Sequence, residues 1–324
     1  MGRNFDYIRK KAKSGIDVRV IYDGLGCITK LPRNYPKILE SKGIKCISFN
    51  KVGVLLGNVM KNRDHRKILV IDGVVAFSGG LNLSDEYINI NSKLGEWKDT
   101  GTCVRGDAVW NYTVMFLEVW NSYRNDDEDF RKYKIDFNNK YKYNGYVVAY
   151  GENPLDDEVI SEDIYLNIIN QAKRYVYIFT PYLIIDIDFL NSLVLASKGG
   201  VDIRIVLPGI PDRKMVYDLS FSYFENLISG GVKIYTYTPG FMHAKVFISD
   251  DKVATVGSIN LDYRSLYLHF ECGMYMENVG AIEDIKRDVG ESLKKSYQIT
   301  REDIKPNIIK RVYQALLRFF APFI

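Results

Sequence analysis

The chain is written twice, and this limits its fold more than any other feature. SGIDVRVIYDG at 14–24 resembles GGVDIRIVLPG at 199–209; Val18 and Val20 match Ile203 and Ile205 at an offset of 185. SKGIKCISF at 41–49 resembles SGGVKIYTY at 229–237, at an offset of 188. HRKILVID at 65–72 and HAKVFISD at 243–250 follow, 178 apart. Three matches in one order indicate an internal duplication. Each copy reads helix, strand, helix, strand, then a motif-bearing hairpin, which predicts an α/β fold. We expect a first domain over 1–123, a linker over the charged, Tyr- and Asn-rich 124–145, and a second domain over 146–324. Only the second copy has an entry strand, RYVYIFTPYL at 174–183, before its helix. The first copy therefore starts a strand and a helix late, and the chain is expected to be a fragment of a longer protein.

Two of the three histidines in 324 residues stand in the same frame, H-x-K-x4-D. At a given His this frame arises by chance about once in 300. KILVIDGVVAFSGG at 67–80 and KVFISDDKVATVGS at 245–258 are hairpin patterns with Asp at the turn. Side chains alternate along a strand, so His65 and Lys67 share a face, as do His243 and Lys245. Asp72 and Asp250 lie an odd number of residues further on and are read as turn-shaping residues. After each hairpin come small residues and an Asn: Gly80 and Asn82, then Ser258 and Asn260. These are candidates for close backbone approach to a phosphate and for amide donation. Carboxylates follow, Asp99 34 residues after His65 and Glu271 28 after His243. Each copy thus carries its own candidate for orienting an imidazole. His269 falls outside both frames and is assigned a structural or substrate-side role. Lys61, Arg63 and Arg66 read equally as a solvated basic face or a lipid-phosphate contact.

Two such sets facing one another suit a phosphodiester. Lysines and amides hold the non-bridging oxygens, one His attacks phosphorus, and the other moves the proton. The lysines supply the positive charge, so no metal or other cofactor is implied. Four scattered cysteines without a C-x-x-C pair argue against zinc and against a disulfide framework. A net charge of +4 fits an acidic surface without demanding nucleic acid. No stretch approaches a membrane-spanning helix, and the start is not a signal peptide. IIKRVYQALLRFFAPFI at 308–324 reads equally as a bilayer-interface helix or a helix packed on the domain.

The paired frames resemble the phospholipase D superfamily. HRKILVIDGVVAFSGGLNLSDEY, WKDTG, TPYLIIDIDFL, LPGIPDRKMVYDLS and YTPGFMHAKVFISDDKVATVGSINLDYRSLYLHFE are similar to bacterial cardiolipin synthases, over nearly the whole chain. The resemblance implies two phospholipase D-like α/β/α sandwich domains related by a pseudo-twofold, with one shared site. It implies transfer of a phosphatidyl group between two phosphatidylglycerol molecules through a phosphohistidine, giving cardiolipin and glycerol. The motif residues carry over onto His65, Lys67, Asp72, His243, Lys245 and Asp250. By family analogy His65 is the nucleophile and His243 the acid/base; the residues alone do not separate them. The implied partner is anionic phospholipid at the cytoplasmic face of the cell membrane, peripherally bound, or integral given an N-terminal extension. The family usually begins with two membrane helices that this chain lacks, and it often has Asn where His269 stands. Another phosphodiesterase activity, phospholipase or nuclease, and an inactive lipid-binding remnant are the alternatives. The acceptor alcohol, acyl preference and oligomeric state are left open.

Overall fold

A computed structural model describes residues 2–50, 62–90, 92–124, 128–137, 145–304 and 308–323. The first half runs α1 (Gly2–Lys13), β1 (Arg19–Asp23), α2 (Tyr35–Glu40), β2 (Lys45–Phe49), β3 (Arg63–Asp64), β4 (Ile68–Ile71), β5 (Val75–Gly79), β6 (Glu96–Lys98), β7 (Gly101–Arg105) and α3 (Val109–Arg124). The second begins with β8 (Tyr146–Glu152), α4 (Ile160–Gln171), β9 (Tyr175–Phe179), α5 (Ile187–Lys198), β10 (Asp202–Pro208), α6 (Lys214–Phe221), α7 (Phe224–Ser229) and β11 (Lys233–Tyr237). It continues through β12 (Gly240–Met242), β13 (Val246–Ser249), β14 (Val253–Gly257), α8 (Tyr263–Tyr267), β15 (His269–Glu277), α9 (Ala281–Lys294), β16 (Ser296–Gln298) and α10 (Ile308–Phe319).

The duplication is visible as topology. In the second half the strands run β16-β11-β10-β9-β13-β14-β15, with β8 also on β15. In the first half β1 pairs with β2, and β4, β5 and β7 form a separate sheet. The two match the β10–β11 and β13–β14–β15 portions of the larger sheet. Among the described residues no strand takes the place between β1 and β4 that β9 takes between β10 and β13.

That difference controls burial. All four β13 residues are buried, so its apolar run is read on both faces. Phe247 stacks on Tyr165 of α4 at 4.2 Å. The equivalent run on β4 alternates, leaving Leu69 and Ile71 exposed together with Phe77 on β5. One core fills the second half between its sheet and helices. Another joins the halves, with Ala76, Val104 and Tyr112 against Ala149, Val256 and Met274. Among the described residues a small cluster around Leu39 and Ile44 serves the outer part of the first half.

The described part of the linker is tied down. Arg19 on β1 donates to Glu128 (2.5 Å) and to the Tyr133 hydroxyl (2.8 Å). The peptide carbonyl of Tyr133 lies where a Cβ on Gly73 would sit, and Gly73 has φ of +67°. Residues 125–127 and 138–144 of the expected linker lie outside the described residues.

Both motif aspartates stand at hairpin turns in left-handed backbone, Asp72 at φ +53° and Asp250 at φ +55°. Asp tolerates this conformation through local hydrogen bonding. The Asp250 carboxylate also accepts from three successive backbone amides, Lys173 (2.7 Å), Arg174 (2.9 Å) and Tyr175 (2.9 Å), at the entry to β9. Burial alone would raise its pKa, but these amides bring it below the usual Asp value. Among the described residues Asp72 has no such strand beside it. Asn tolerates the same backbone, so Asp250→Asn should lose about 2 kcal/mol of stability while Asp72→Asn stays within about 0.5 kcal/mol. Urea melts of the two variants check this; equal losses would show that the amide contacts are not what Asp250 contributes.

Candidate functional site

Two short strand pairings cross between the halves. β3 runs parallel to the start of β15, with Arg63 opposite His269 and Asp64 opposite Phe270. β12 runs parallel to β6, with Gly240 opposite Glu96 and Met242 opposite Lys98. These are the same contact repeated about the pseudo-twofold: the strand entering one motif lies on the strand that carries the other half's carboxylate. The His65 amide donates to the Phe270 carbonyl (2.9 Å), and the His243 amide donates to the Lys98 carbonyl (2.7 Å).

The carboxylates therefore trade places. His65 Nδ1 lies 2.8 Å from Oε1 of Glu271, and His243 Nδ1 lies 2.7 Å from Oδ2 of Asp99. The one-carboxylate-per-copy grouping expected from spacing is corrected: each half's imidazole is held by the other half's acid. With Nδ1 occupied, each ring has Nε2 left for chemistry.

Gly80 makes room for this. A Cβ there would fall 2.1 Å from Oδ1 of Asp99. Ser258 is fully buried; its hydroxyl accepts from the Cys272 amide at 3.0 Å and donates to the Cys272 carbonyl at 3.2 Å. The two asparagines are not equivalent. Asn260 is buried, and its side-chain carbonyl oxygen has no hydrogen-bond partner among the described residues. Asn82 is exposed and donates to the Tyr87 hydroxyl at 2.6 Å.

Lys67 and Lys245 each donate from Nζ to the carbonyl of their own histidine. Each also lies close enough to the other half's imidazole to depress its basicity. Desolvation, then the lysines, push His65 well below the usual His value; desolvation and Lys245 bring His243 down to about 3. Desolvation also lowers Lys67, and it takes Lys245 to about 7. The two acids behave differently. Burial would raise Asp99, but the hydrogen bond from His243 and the charge of Lys245 hold it below the usual Asp value. Burial pushes Glu271 up to about 7, against the pull of Lys67. The site thus holds two desolvated ammonium groups against one firmly ionised carboxylate, Asp99. A bound diester anion would add the negative charge that keeps both lysines protonated.

That makes anion affinity depend on pH with a definite sign. A diester stays anionic throughout the neutral range and binds the protonated ammonium, so binding raises the Lys245 pKa. Without the diester, Lys245 loses that proton above about 7, and Glu271 gains negative charge over the same range. Affinity for a non-hydrolysable phosphonate analogue of the diester should therefore be constant below pH 7. It should fall at least about tenfold per pH unit above it, and more steeply where the Lys245 and Glu271 protons are both linked to binding. Titration calorimetry between pH 6 and 9 measures this; affinity independent of pH would contradict the buried-ammonium assignment.

Other residues complete the surroundings. Tyr87, Trp97 and Phe241 wall the His243 ring at centroid distances of 5.1, 5.1 and 5.8 Å. No sequence pattern marked Tyr87, and Trp97 was visible only as a neighbour of Asp99. His269 lies 6.1 Å from His65, and burial lowers its pKa to about 4. Arg63 bonds both oxygens of Asp23, and Arg66 pairs with Asp64 at 2.9 Å, so both hold the loop that carries His65. Lys61 lies outside the described residues.

The comparisons agree with this geometry. A family model described as "Cardiolipin synthase, PLD-like domain" matches residues 3–99 and 165–292, one block in each half. An uncharacterized protein of Streptococcus mutans serotype c is 45% identical over the whole chain, which covers 70% of it. A cardiolipin synthase of Alkalihalophilus pseudofirmus is 35% identical over 98% of this chain and 64% of its own length. Cardiolipin synthase 1 of Bacillus anthracis is 36% identical, with coverages of 98% and 64%. The chain therefore spans just under two thirds of these two synthases. The solved phosphatidylserine synthase of Haemophilus influenzae aligns over 99% of this chain and 84% of its own, with a TM-score of 0.70 at 14% identity, which shows a shared fold. With a matched block in each half and an imidazole–carboxylate pair at each crossing, the chain belongs to the phospholipase D superfamily, in the family of the cardiolipin synthase PLD-like domain.

Proposed function

We propose that the chain is a phosphatidyltransferase of the cardiolipin synthase type. The observation that carries this is the reciprocal pair of imidazoles, each held at Nδ1 by a buried carboxylate from the opposite half, beside two desolvated lysines. Lys67 and Lys245 take the phosphate oxygens of phosphatidylglycerol, and the side-chain carbonyl oxygen of Asn260 can accept from a glycerol hydroxyl. His65 Nε2 attacks phosphorus while the bond to the departing glycerol oxygen breaks; that oxygen takes a proton from His243. The phosphoimidazolium then carries positive charge beside Glu271, which favours the ionised form of that acid. The glycerol hydroxyl of a second phosphatidylglycerol gives its proton to His243 and attacks phosphorus, the P–N bond breaks, and cardiolipin forms. Electrostatic stabilisation comes from the lysines throughout.

Incubation with phosphatidylglycerol should yield cardiolipin and glycerol in equal amounts. Glycerol or phosphatidic acid released without cardiolipin would show a hydrolase, and DNA cleavage without lipid turnover a nuclease. Among the described residues no helix is long and apolar enough to cross a membrane. The membrane surface is the proposed place of action because the substrate resides there.

A further inference from the structure

The helix α10 has two apolar faces. Leu317 is buried in the core of the second half, beside Gln314 and, one turn on, Ala321. The opposite side presents Ile309, Val312, Tyr313, Leu316, Phe319 and Phe320 to solvent, with Ile309 and Phe319 about three quarters exposed (75% and 76%). At 100° per residue these six fall within an arc of roughly 120°, separate from the buried one. Arg311 and Arg318 lie together between the two faces. The helix carries Lys310, Arg311 and Arg318 and no acidic residue.

Its anchorage leaves the outer face clear. Arg318 donates to the Ser222 hydroxyl at 2.9 Å and lies 4.5 Å from the Tyr223 ring centroid; Lys310 lies 4.4 Å from the Phe221 centroid. Arg311 reaches Glu225 at 3.3 Å. The elements it packs on border the site. At the entry to α6, Asp212 lies within electrostatic reach of Tyr87, which stands on His243. The 3-10 turn Ala321–Phe323 after α10 packs on α8, whose cap Asp262 comes two residues after Asn260.

We propose that α10 docks the protein on an anionic phospholipid bilayer, with the Ile309–Phe320 stripe in the acyl boundary and the basic edge on the headgroups. The surface fits lipid better than a second copy: Arg311 and Arg318 flank the stripe, the helix has no acidic residue with which to meet a second copy's cations, and anionic headgroups supply that charge. The inference rests on the lipid reading of the site only for its purpose; the docking itself is read from α10.

The test floats the full chain with phosphatidylcholine vesicles, with and without about one third phosphatidylglycerol. The wild type should float with the anionic vesicles only. Leu316→Asp/Phe319→Asp should lower the bound fraction at least about tenfold. Its melting temperature and its turnover of short-chain phosphatidylglycerol in detergent micelles should not change. Leu316→Ser/Phe319→Ser gives the same reading should the charged variant misfold. Wild type that ignores anionic vesicles, a variant that floats equally well, or a wild-type dimer that the variant splits without loss of lipid binding overturns the proposal. Flotation lost on mutation in a protein that never turns over phosphatidylglycerol, even in micelles, upholds docking and removes the transferase reading alone.

Discussion

Replacement of His65 by Ala is expected to lower phosphatidyl transfer by at least about 10⁴-fold and to abolish the covalent enzyme. The two imidazoles do different work, and a substrate with a good leaving group separates them. A nitrophenyl phosphodiester departs without protonation. His243→Ala should therefore still release one equivalent of nitrophenol in a burst and become labelled on His65, though it forms cardiolipin no better than His65→Ala. His65→Ala should give neither burst nor label. The reverse pattern would exchange the roles, with His243 as nucleophile. A burst in both variants would remove the phosphohistidine from the mechanism. The pKa directions bear on this. Desolvation and the lysine charges keep both rings neutral before substrate adds its own charge, so both offer a lone pair at Nε2. The ring that protonates glycerol must first gain a proton, and bound substrate, by offsetting the lysine charge, makes that gain easier.

Much of the fold was legible because it was written twice. The hairpins, the shared face of His and Lys, and the turn position of Asp72 and Asp250 follow from strand alternation and turn chemistry. So does the unmatched entry strand, which appears as two separate first-half sheets and an exposed Leu69, Ile71 and Phe77. The exchange of carboxylates was not legible. It depends on β3 and β12, two and three residues long, which are too short for any periodicity to mark. Spacing along the chain favoured the opposite grouping. Gly80 and Asn82 show a second limit. Small residues beside a motif suggest approach to a ligand, but the space at Gly80 is taken by Asp99 and the amide of Asn82 by Tyr87. Symmetry in sequence overstated symmetry in the site, since the partner of Asn82, Asn260, is buried.

The crossed carboxylates make the second large prediction. Asp99 sits in the first half but serves His243. Asp99→Asn should therefore reproduce the His243 lesion: transfer to the lipid acceptor falls by about 10² to 10⁴, while the nitrophenyl burst survives. Glu271 sits in the second half but serves His65, so Glu271→Gln should slow the burst itself. The sizes should differ. Asp99 is ionised across the neutral range and supports an imidazolium directly, so its amide replacement removes a full charge at 2.7 Å from the ring. Glu271 titrates near 7, so at pH 6 it is already largely neutral, and the Gln variant should approach the wild type there. The penalty for Glu271→Gln should grow as pH rises through 7, as the wild-type carboxylate gains its charge; that for Asp99→Asn should be flat from pH 6 to 8. Burst amplitude and steady-state transfer over that range decide it. Were each acid to serve its own half, Asp99→Asn would suppress the burst and Glu271→Gln would spare it, the inverse of what the 2.7 and 2.8 Å contacts across the interface require.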